Sequence, residues 1–452
     1  MPSVGTAQDR LATASETVFT WGAPPLVFGR GAFEEVGHHA AGLGLRRVAV
    51  VTDSRLAALG LADRAEAALV AAGLGASTFS AVHVEPTDSS LRTAGEWARA
   101  TAIDGLVAVG GGSVIDTAKA MNLLATNDGD LTDYLNPPIG AGRTPTRPMH
   151  PLIAVPTTAG TGAESTPVCI VGLHGLRLKT GISHPALRPR LAIVDPLLTV
   201  SQPRGVTIAS GMDVLCHALE SYTARPYDAR PRADGPPTRP VYNGANPISD
   251  IWAGRALELL GRWFRRAVDA PDDLEAREGM VLASTFAGLG FGNAGVHLPH
   301  ACAYPIAGLV RDYRPADYPD AEPLIPHGLA VVATAAEAFR FTYPTDPARH
   351  ETAARLLMGA QGDTGGTGDA GIDALPDAVT ALCRDVGAPL GLAAYGYTED
   401  DVDAIVDGAL RQERLLAVSP RPVMSSDLAD IIRRSLAPAA TARSSRHVED
   451  SA

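Results

Sequence analysis

The chain has 452 residues, 46% of them hydrophobic and 19% charged, with a formal net charge of −12. That length suits two or three globular domains with large cores. The excess of carboxylates speaks against nucleic acid or an anionic membrane as a partner, and no run of about 18 apolar residues exists to span a bilayer.

Residues 1–24 read as a flexible leader, with neither an apolar signal core nor a basic transit pattern. From residue 25 the pattern turns regular. RRVAVVTDSRL (46–56) predicts a buried strand ending at Asp53, followed by a helix over 62–73. A strand with a turn at 77–87 and a helix at 90–102 come next. DGLVAVGGGSVIDTAKAMNLLA (104–125) reads as strand, glycine turn and helix. PLIAVPTTAGTGAE (151–164) is an apolar strand running into a Thr/Gly loop, and RLAIVDP (190–196) is a further strand. Strands alternating with helices imply a parallel sheet covered on both faces, so 25–200 should be an α/β dinucleotide-binding domain. Beyond 200 the period becomes helical, over 203–223, 249–269, 273–290, 299–310, 327–341, 349–359, 373–386, 398–414 and 425–436. An all-helical domain is expected over 201–437, interrupted by an irregular stretch at 224–247 and a glycine-rich loop at 361–371. A disordered tail is expected over 438–452. Cys169, Cys216, Cys302 and Cys383 form no CxxC pair and read as reduced core thiols of a cytoplasmic protein.

Three stretches carry chemistry. Gly110, Gly111, Gly112 and Ser113 follow an apolar strand, with Asp116 in the helix behind. Glycines let a backbone approach a pyrophosphate, and a helix N-terminus offers free N–H groups. The pattern is not GxGxxG, and a plain tight turn is the alternative. Asp53 ends an earlier strand, where a carboxylate can hold a ribose hydroxyl and favour NAD over NADP; otherwise it caps a turn. Thr157, Thr158 and Thr161 lie in a loop at the end of a strand, where parallel sheets bind ligands.

Asp213 and His217, in GMDVLCHALESY, stand four residues apart in a run of helix formers, so one helix face presents both. GVHLPHACAYPIAGL and IPHGLAVVATAAEAF each place a proline at a helix start with a histidine beside it, His300 and His327. Together they give one carboxylate and three imidazoles with no thiolate, which suits Fe(II) or Zn(II). His297 is the rival to His300. The remaining histidines, His38, His39, His83, His150, His174, His184, His350 and His447, read as surface residues.

GGGSVIDTAK, PTTAGTGAE, DVLCH and the two later histidines, in that order, resemble the iron-containing (group III) alcohol dehydrogenases over about residues 25–436. The fold this implies is a Rossmann-like dinucleotide-binding domain plus an all-α metal-binding domain, the dehydroquinate synthase-like arrangement, with the metal in the cleft. TRPVYNGANPISDIWA, FGNAGVHLPHACAYPIAGLV, PLIPHGL and RQERLLAVSPRP look most like the hydroxyacid–oxoacid transhydrogenase branch. The resemblance implies His300 as the third imidazole ligand, Tyr304 where other members have a second histidine, and Lys179 on the nicotinamide side. It implies NAD, a divalent metal with Fe(II) favoured, and small hydroxyacid and oxoacid substrates, 4-hydroxybutyrate and 2-oxoglutarate. A homodimer is the assembly it suggests. Arg414 and Arg421 are the candidate cations for substrate carboxylates, against surface solvation, the commoner fate of arginine. The rival activities are an NAD-dependent alcohol or 4-hydroxybutyrate dehydrogenase with exchangeable cofactor, and a sugar-phosphate cyclase of related fold.

Overall fold

The computed structural model describes residues 15–173, 175, 178–318, 323–359 and 371–437. Its first half runs β1 (Leu26–Phe28), α1 (Val36–Gly42), β2 (Arg47–Val51), α2 (Ser54–Ala58), α3 (Leu61–Ala71), β3 (Gly75–Phe79) and α4 (Asp88–Thr101). β4 (Gly105–Gly110), α5 (Gly112–Thr126), α6 (Leu131–Tyr134), β5 (Leu152–Pro156), β6 (Val168–Leu173), β7 (Leu178–Ser183) and β8 (Leu191–Val194) follow. Six strands pair in the order β1-β8-β5-β4-β2-β3, all parallel. β4 and β5 are buried along their whole length, as apolar strands covered by helices on both faces must be. The chain leaves β2 for β3 on one side and returns to β4 on the other. A parallel sheet opens its ligand crevice at such a switch, beyond the carboxyl ends of the strands. Asp53, Gly111 and Thr157 follow β2, β4 and β5 at that edge.

β6 and β7 form a separate antiparallel pair that the sequence reading missed. β7 is buried on both faces, with Lys179 on one and Thr180 on the other, so its residues do not alternate apolar and polar as a half-buried strand's should.

The second half contains α7 (Arg204–Thr223), α8 (Pro247–Asp269), α9 (Leu274–Ala294), α10 (Leu298–Gly308), α11 (His327–Thr342), α12 (Pro347–Met358) and α13 (Ala374–Val386). It closes with α14 (Val402–Leu410), α15 (Glu413–Leu416) and α16 (Ser425–Arg434). Among the described residues no strand follows β8, and no single helix is long and apolar enough to cross a membrane. The helix expected over 398–414 is broken at 411–412, where Gln412 Nε2 donates to the Lys179 carbonyl at 3.2 Å. α7 is buried almost all round, the mark of a central core helix. Ala159, Ala192 and Val194 of the first half share its core cluster, so the two halves meet through a continuous apolar contact.

Residues 15–24 depart from the expected loose leader. The Glu16 N–H donates to the Arg230 carbonyl at 2.9 Å, and the Gly22 N–H to Asn293 Oδ1 at 2.9 Å. Those bonds fasten the segment to the helical half. The rest of the leader, most of the glycine-rich loop, the tail, His174 and His447 lie outside the described residues. All four cysteines are free and buried.

Candidate active site

α7 carries Asp213 and His217 one turn apart, with His217 Nε2 3.6 Å from Asp213 Oδ1. The Phe291 ring stacks on His217 at 3.9 Å and fixes its plane. α9 and α10 meet at a 102° bend, through Gly295 at φ 98°. The bend starts α10 beside α7, and His300 in its first turn comes within 3.6 Å of Asp213 Oδ1 through Nε2. Candidate ligand atoms of Asp213, His217 and His300 lie within 4.8 Å of one another. His327 opens α11, its Nε2 3.9 Å from Asp213 Oδ1. Its neighbour Gly328 makes that approach feasible. A Cβ there would sit 1.9 Å from the Ala209 carbonyl and 2.7 Å from the Asp213 nitrogen, so α11 meets α7 backbone to backbone.

Burial opposes the charge on Asp213, but His217, His327 and His300 together hold its carboxyl well below the usual range. Burial pushes His217 down to about 3 and His327 to about 4. His300 goes the other way: against the cost of burial, Glu220 and Asp213 raise it to about 9. Glu220 is fully buried. Its Oε1 lies 2.5 Å from His300 Nδ1, while Oε2 accepts the His297 N–H at 2.6 Å and the His300 N–H at 3.4 Å. His300 Nδ1 is thereby committed to Glu220, and Nε2 faces Asp213. Asp213 Oδ1 and His300 Nε2 are buried with no hydrogen-bond partner. Buried polar atoms without partners are rare, and a divalent ion would satisfy this set; carboxylate and imidazole donors fit Fe(II) or Zn(II) alike.

Sequence reasoning missed Glu220, although its spacing from Asp213 and His217 sets all three on one face of α7. His297, the rival to His300, turns away: its Nε2 lies 3.1 Å from Thr223 Oγ1. His350, expected at the surface, is buried, with Nε2 2.8 Å from Thr342 Oγ1.

Two cavities meet at this cluster. A groove of about 1530 Å³ is lined by Asp53, Gly111, Gly112, Ser113, Thr157 and Thr158. A chamber of about 820 Å³ holds the cluster at one end and Phe291, Val296, Tyr242 and Tyr304 in its walls. Gly112, Ser113, Thr161, Asp213 and His327 border both. A Cβ on Gly112 would lie 2.5 Å from Thr161 Cγ2, so the glycine turn can press against the threonine loop only without a side chain.

The expected cofactor residues divide between these spaces. Asp53 lines the groove, but its Oδ1 also caps α2 by accepting the Arg55 and Leu56 N–H groups at 2.9 Å each. Gly110 closes β4, its carbonyl taking the Thr157 N–H at 3.1 Å, and leaves the groove lining to its two neighbours. The Ser113 hydroxyl donates to the Val84 carbonyl. Asp116 faces the chamber rather than the groove. Its Oδ2 accepts the Ile170 N–H at 2.9 Å, and its Oδ1 lies 3.6 Å from the buried Lys119 Nζ. Lys119 in turn donates to the Ala163 and Val168 carbonyls at 2.8 and 2.7 Å, so the pair bolts α5 to β6. Lys179 also lies in the chamber, ion-paired with Glu85. Arg421 is remote from it: its guanidinium covers the Phe341 ring at 4.2 Å and donates to that residue's carbonyl, at the end of α11.

Comparison with known proteins matches residues 23–196 to the iron-containing alcohol dehydrogenase model and residues 241–436 to the C-terminal model of the Fe-containing alcohol dehydrogenase family. The mitochondrial hydroxyacid-oxoacid transhydrogenase of Bos taurus is 47% identical over 90% of this chain and 88% of its own. That of Xenopus laevis is 46% identical over 94% and 92%. Among solved structures, a 1,3-propanediol oxidoreductase superposes with TM-score 0.80 at 30% identity, covering 93% of this chain and all of its own. Sulfoacetaldehyde reductase from Bifidobacterium kashiwanohense, solved in complex with NAD+, gives 0.75 at 27% identity over 93% and 99%. The transhydrogenase relatives are named as mitochondrial, which overturns the cytoplasmic expectation. Reduced thiols and acidic charge report on chemistry and solubility, and carry no address.

Proposed function

The chain belongs to the iron-containing alcohol dehydrogenase family, and we propose that within it the protein is a hydroxyacid–oxoacid transhydrogenase. In this reading 4-hydroxybutyrate gives up a hydride and leaves as succinate semialdehyde. 2-Oxoglutarate takes up a hydride and the proton that the donor hydroxyl released, becoming 2-hydroxyglutarate; a bound NAD would supply the hydride carrier between the two. The observation that carries the reading is the meeting of a groove along the carboxyl ends of the strands and a largely apolar chamber at one acid–imidazole cluster. The high identity to transhydrogenases over nearly the whole chain supports the substrate class.

Asp213, His217, His300 and His327 would hold a divalent ion, Fe(II) in preference to Zn(II), which when bound supplies Lewis acidity toward the substrate oxygen. Glu220 orients His300 by accepting its Nδ1 proton, as carboxylates behind metal-binding histidines do. The N-terminus of α5, at Gly111, Gly112 and Ser113, offers backbone N–H groups to a pyrophosphate, with Thr157, Thr158 and Thr161 across the groove. Asp53 at the end of β2 suits a ribose hydroxyl. The apolar walls at Phe291 and Val296 keep water from the reacting carbon. A sugar-phosphate cyclase would need a basic cluster for its phosphate beside the metal. Among the described residues the chamber lining holds one lysine and no arginine, and that lysine, Lys179, is paired with Glu85.

The test is to incubate purified protein with 4-hydroxybutyrate and 2-oxoglutarate and no added NAD. Equal amounts of succinate semialdehyde and 2-hydroxyglutarate support the proposal. Turnover only on adding NAD, with NADH accumulating, would establish an ordinary dehydrogenase instead.

A further inference from the structure

We propose that the Tyr242 and Tyr304 phenols, with the Arg414 guanidinium behind them, form a carboxylate-binding corner of the chamber, Arg414 supplying from behind the wall the charge that selects hydroxyacids over plain alcohols. This rests on the transhydrogenase reading for its substrate class and on the geometry for its residues.

The break between α14 and α15 turns Arg414 toward the wall of the chamber. The same short segment contributes Leu415 and Val418 to a buried cluster with Tyr242, Phe291, Val296 and Tyr304. The Arg414 guanidinium lies over the Tyr242 ring at 4.5 Å. The groups acting on it are the phenols of Tyr242 and Tyr304, and its Nη1 is buried with no partner. Among the described residues no carboxylate answers it. A half-buried guanidinium answered only by phenols keeps its positive charge uncompensated, and such a site favours the arrival of an anion in front of the two rings. Lys179 offers no such opening, because Glu85 already neutralises it.

Both tyrosines line the chamber. The Tyr304 ring also stacks on His327, with centroids 5.9 Å apart and planes 17° from parallel. Tyr304 therefore bridges the acid–imidazole cluster and Arg414. A phenol carries its proton at neutral pH and can donate. A hydroxyacid with its reacting oxygen at the cluster would direct its carboxylate to these donors. A guanidinium bonded to the phenols from behind strengthens them as donors to a carboxylate, and an uncharged alcohol would leave that charge unanswered.

The test compares 4-hydroxybutyrate with 1-butanol as hydride donor, using propionaldehyde as acceptor so that only one donor carries a carboxylate and each pair gives a distinct product. In Arg414→Met holoenzyme the KM for 4-hydroxybutyrate should rise roughly 10- to 100-fold, the worth of one charged hydrogen-bonded contact. Its kcat and both 1-butanol constants should stay within about threefold of wild type. Arg414→Lys should recover part of the KM, and Tyr304→Phe should raise it with the fold intact. Equal losses for both donors, or no change for either, would overturn the proposal. Calorimetric binding of glutarate, which cannot react, gives a second readout. Wild type should bind it and Arg414→Met should lose about tenfold or more; equal affinity would overturn the corner even with every variant folded. A wild type that transfers no hydride between hydroxyacid and oxoacid would sink the transhydrogenase reading alone, and glutarate binding would still decide the role of Arg414.

Discussion

Glu220→Gln perturbs the site without touching the reacting atoms. The side chain is fully buried and accepts on both oxygens: from His300 Nδ1 at 2.5 Å, and from the His297 and His300 N–H groups at 2.6 and 3.4 Å. Glutamine keeps the shape but replaces one acceptor with an NH2 group. With its oxygen toward the backbone, the NH2 faces His300 Nδ1. The imidazole must then move its proton to Nε2, and that nitrogen can no longer bind a metal. With its oxygen toward Nδ1, the NH2 meets the His297 N–H donor to donor, and a buried unsatisfied donor costs about 1–3 kcal/mol. Either arrangement should weaken metal binding by roughly 10- to 100-fold, as loss of a carboxylate behind a ligating histidine does. That corresponds to about 1.4–2.8 kcal/mol. Competition against a chelator of known affinity, with Zn(II) and then Fe(II), measures it; a thermal melt checks the fold. A folded variant with metal affinity within about twofold of wild type would refute the claim that Glu220 sets the His300 tautomer.

Three further outcomes follow from particular contacts. Gly328→Ala drives a Cβ into the Ala209 carbonyl, so α11 must retreat from α7; stability should fall by about 1–3 kcal/mol and metal affinity should fall with it, whereas a lower Tm with unchanged affinity would contradict the link. Burial holds His297 neutral, at about 4, against about 6.5 in the unfolded chain. Its contribution is complete above pH 6.5 and is lost as pH falls through 4, because the unfolded chain takes up the proton first. Metal-free protein should therefore lose Tm across that window, less steeply in His297→Gln, and an identical slope would count against the assignment. Arg421→Ala removes the cation over Phe341 and should lower Tm while leaving the KM for 4-hydroxybutyrate unchanged; a tenfold rise would return Arg421 to the substrate site.

The features legible in the sequence are those encoded over a few residues. The i, i+4 spacing of Asp213 and His217 sets their common face, and a proline beside each of His300 and His327 signals the helix starts that deliver them. The long apolar periods of the second half predict α7 to α13 and α16 to within a few residues. What the sequence hides depends on distant partners. Asp116 reads as a pyrophosphate neighbour until Ile170, far along the chain, donates to it. Glu220 looks like an ordinary helix carboxylate until the bend between α9 and α10 brings His297 and His300 onto it. β7 escapes detection because both its faces are buried, one carrying Lys179 and the other Thr180, so neither apolar alternation nor an apolar run marks it. Arg414 and Arg421 look alike as sequence, yet the first stands behind the chamber wall and the second at a helix end.

The central claim is that one bound dinucleotide serves both half-reactions. Isotope transfer tests it most directly. With 4-hydroxybutyrate deuterated at C4, 2-oxoglutarate and a large excess of unlabelled free NADH, the account predicts deuterium at C2 of the 2-hydroxyglutarate formed, undiluted by the free pool. Product carrying only protium, with the label found in free NADH, would contradict it.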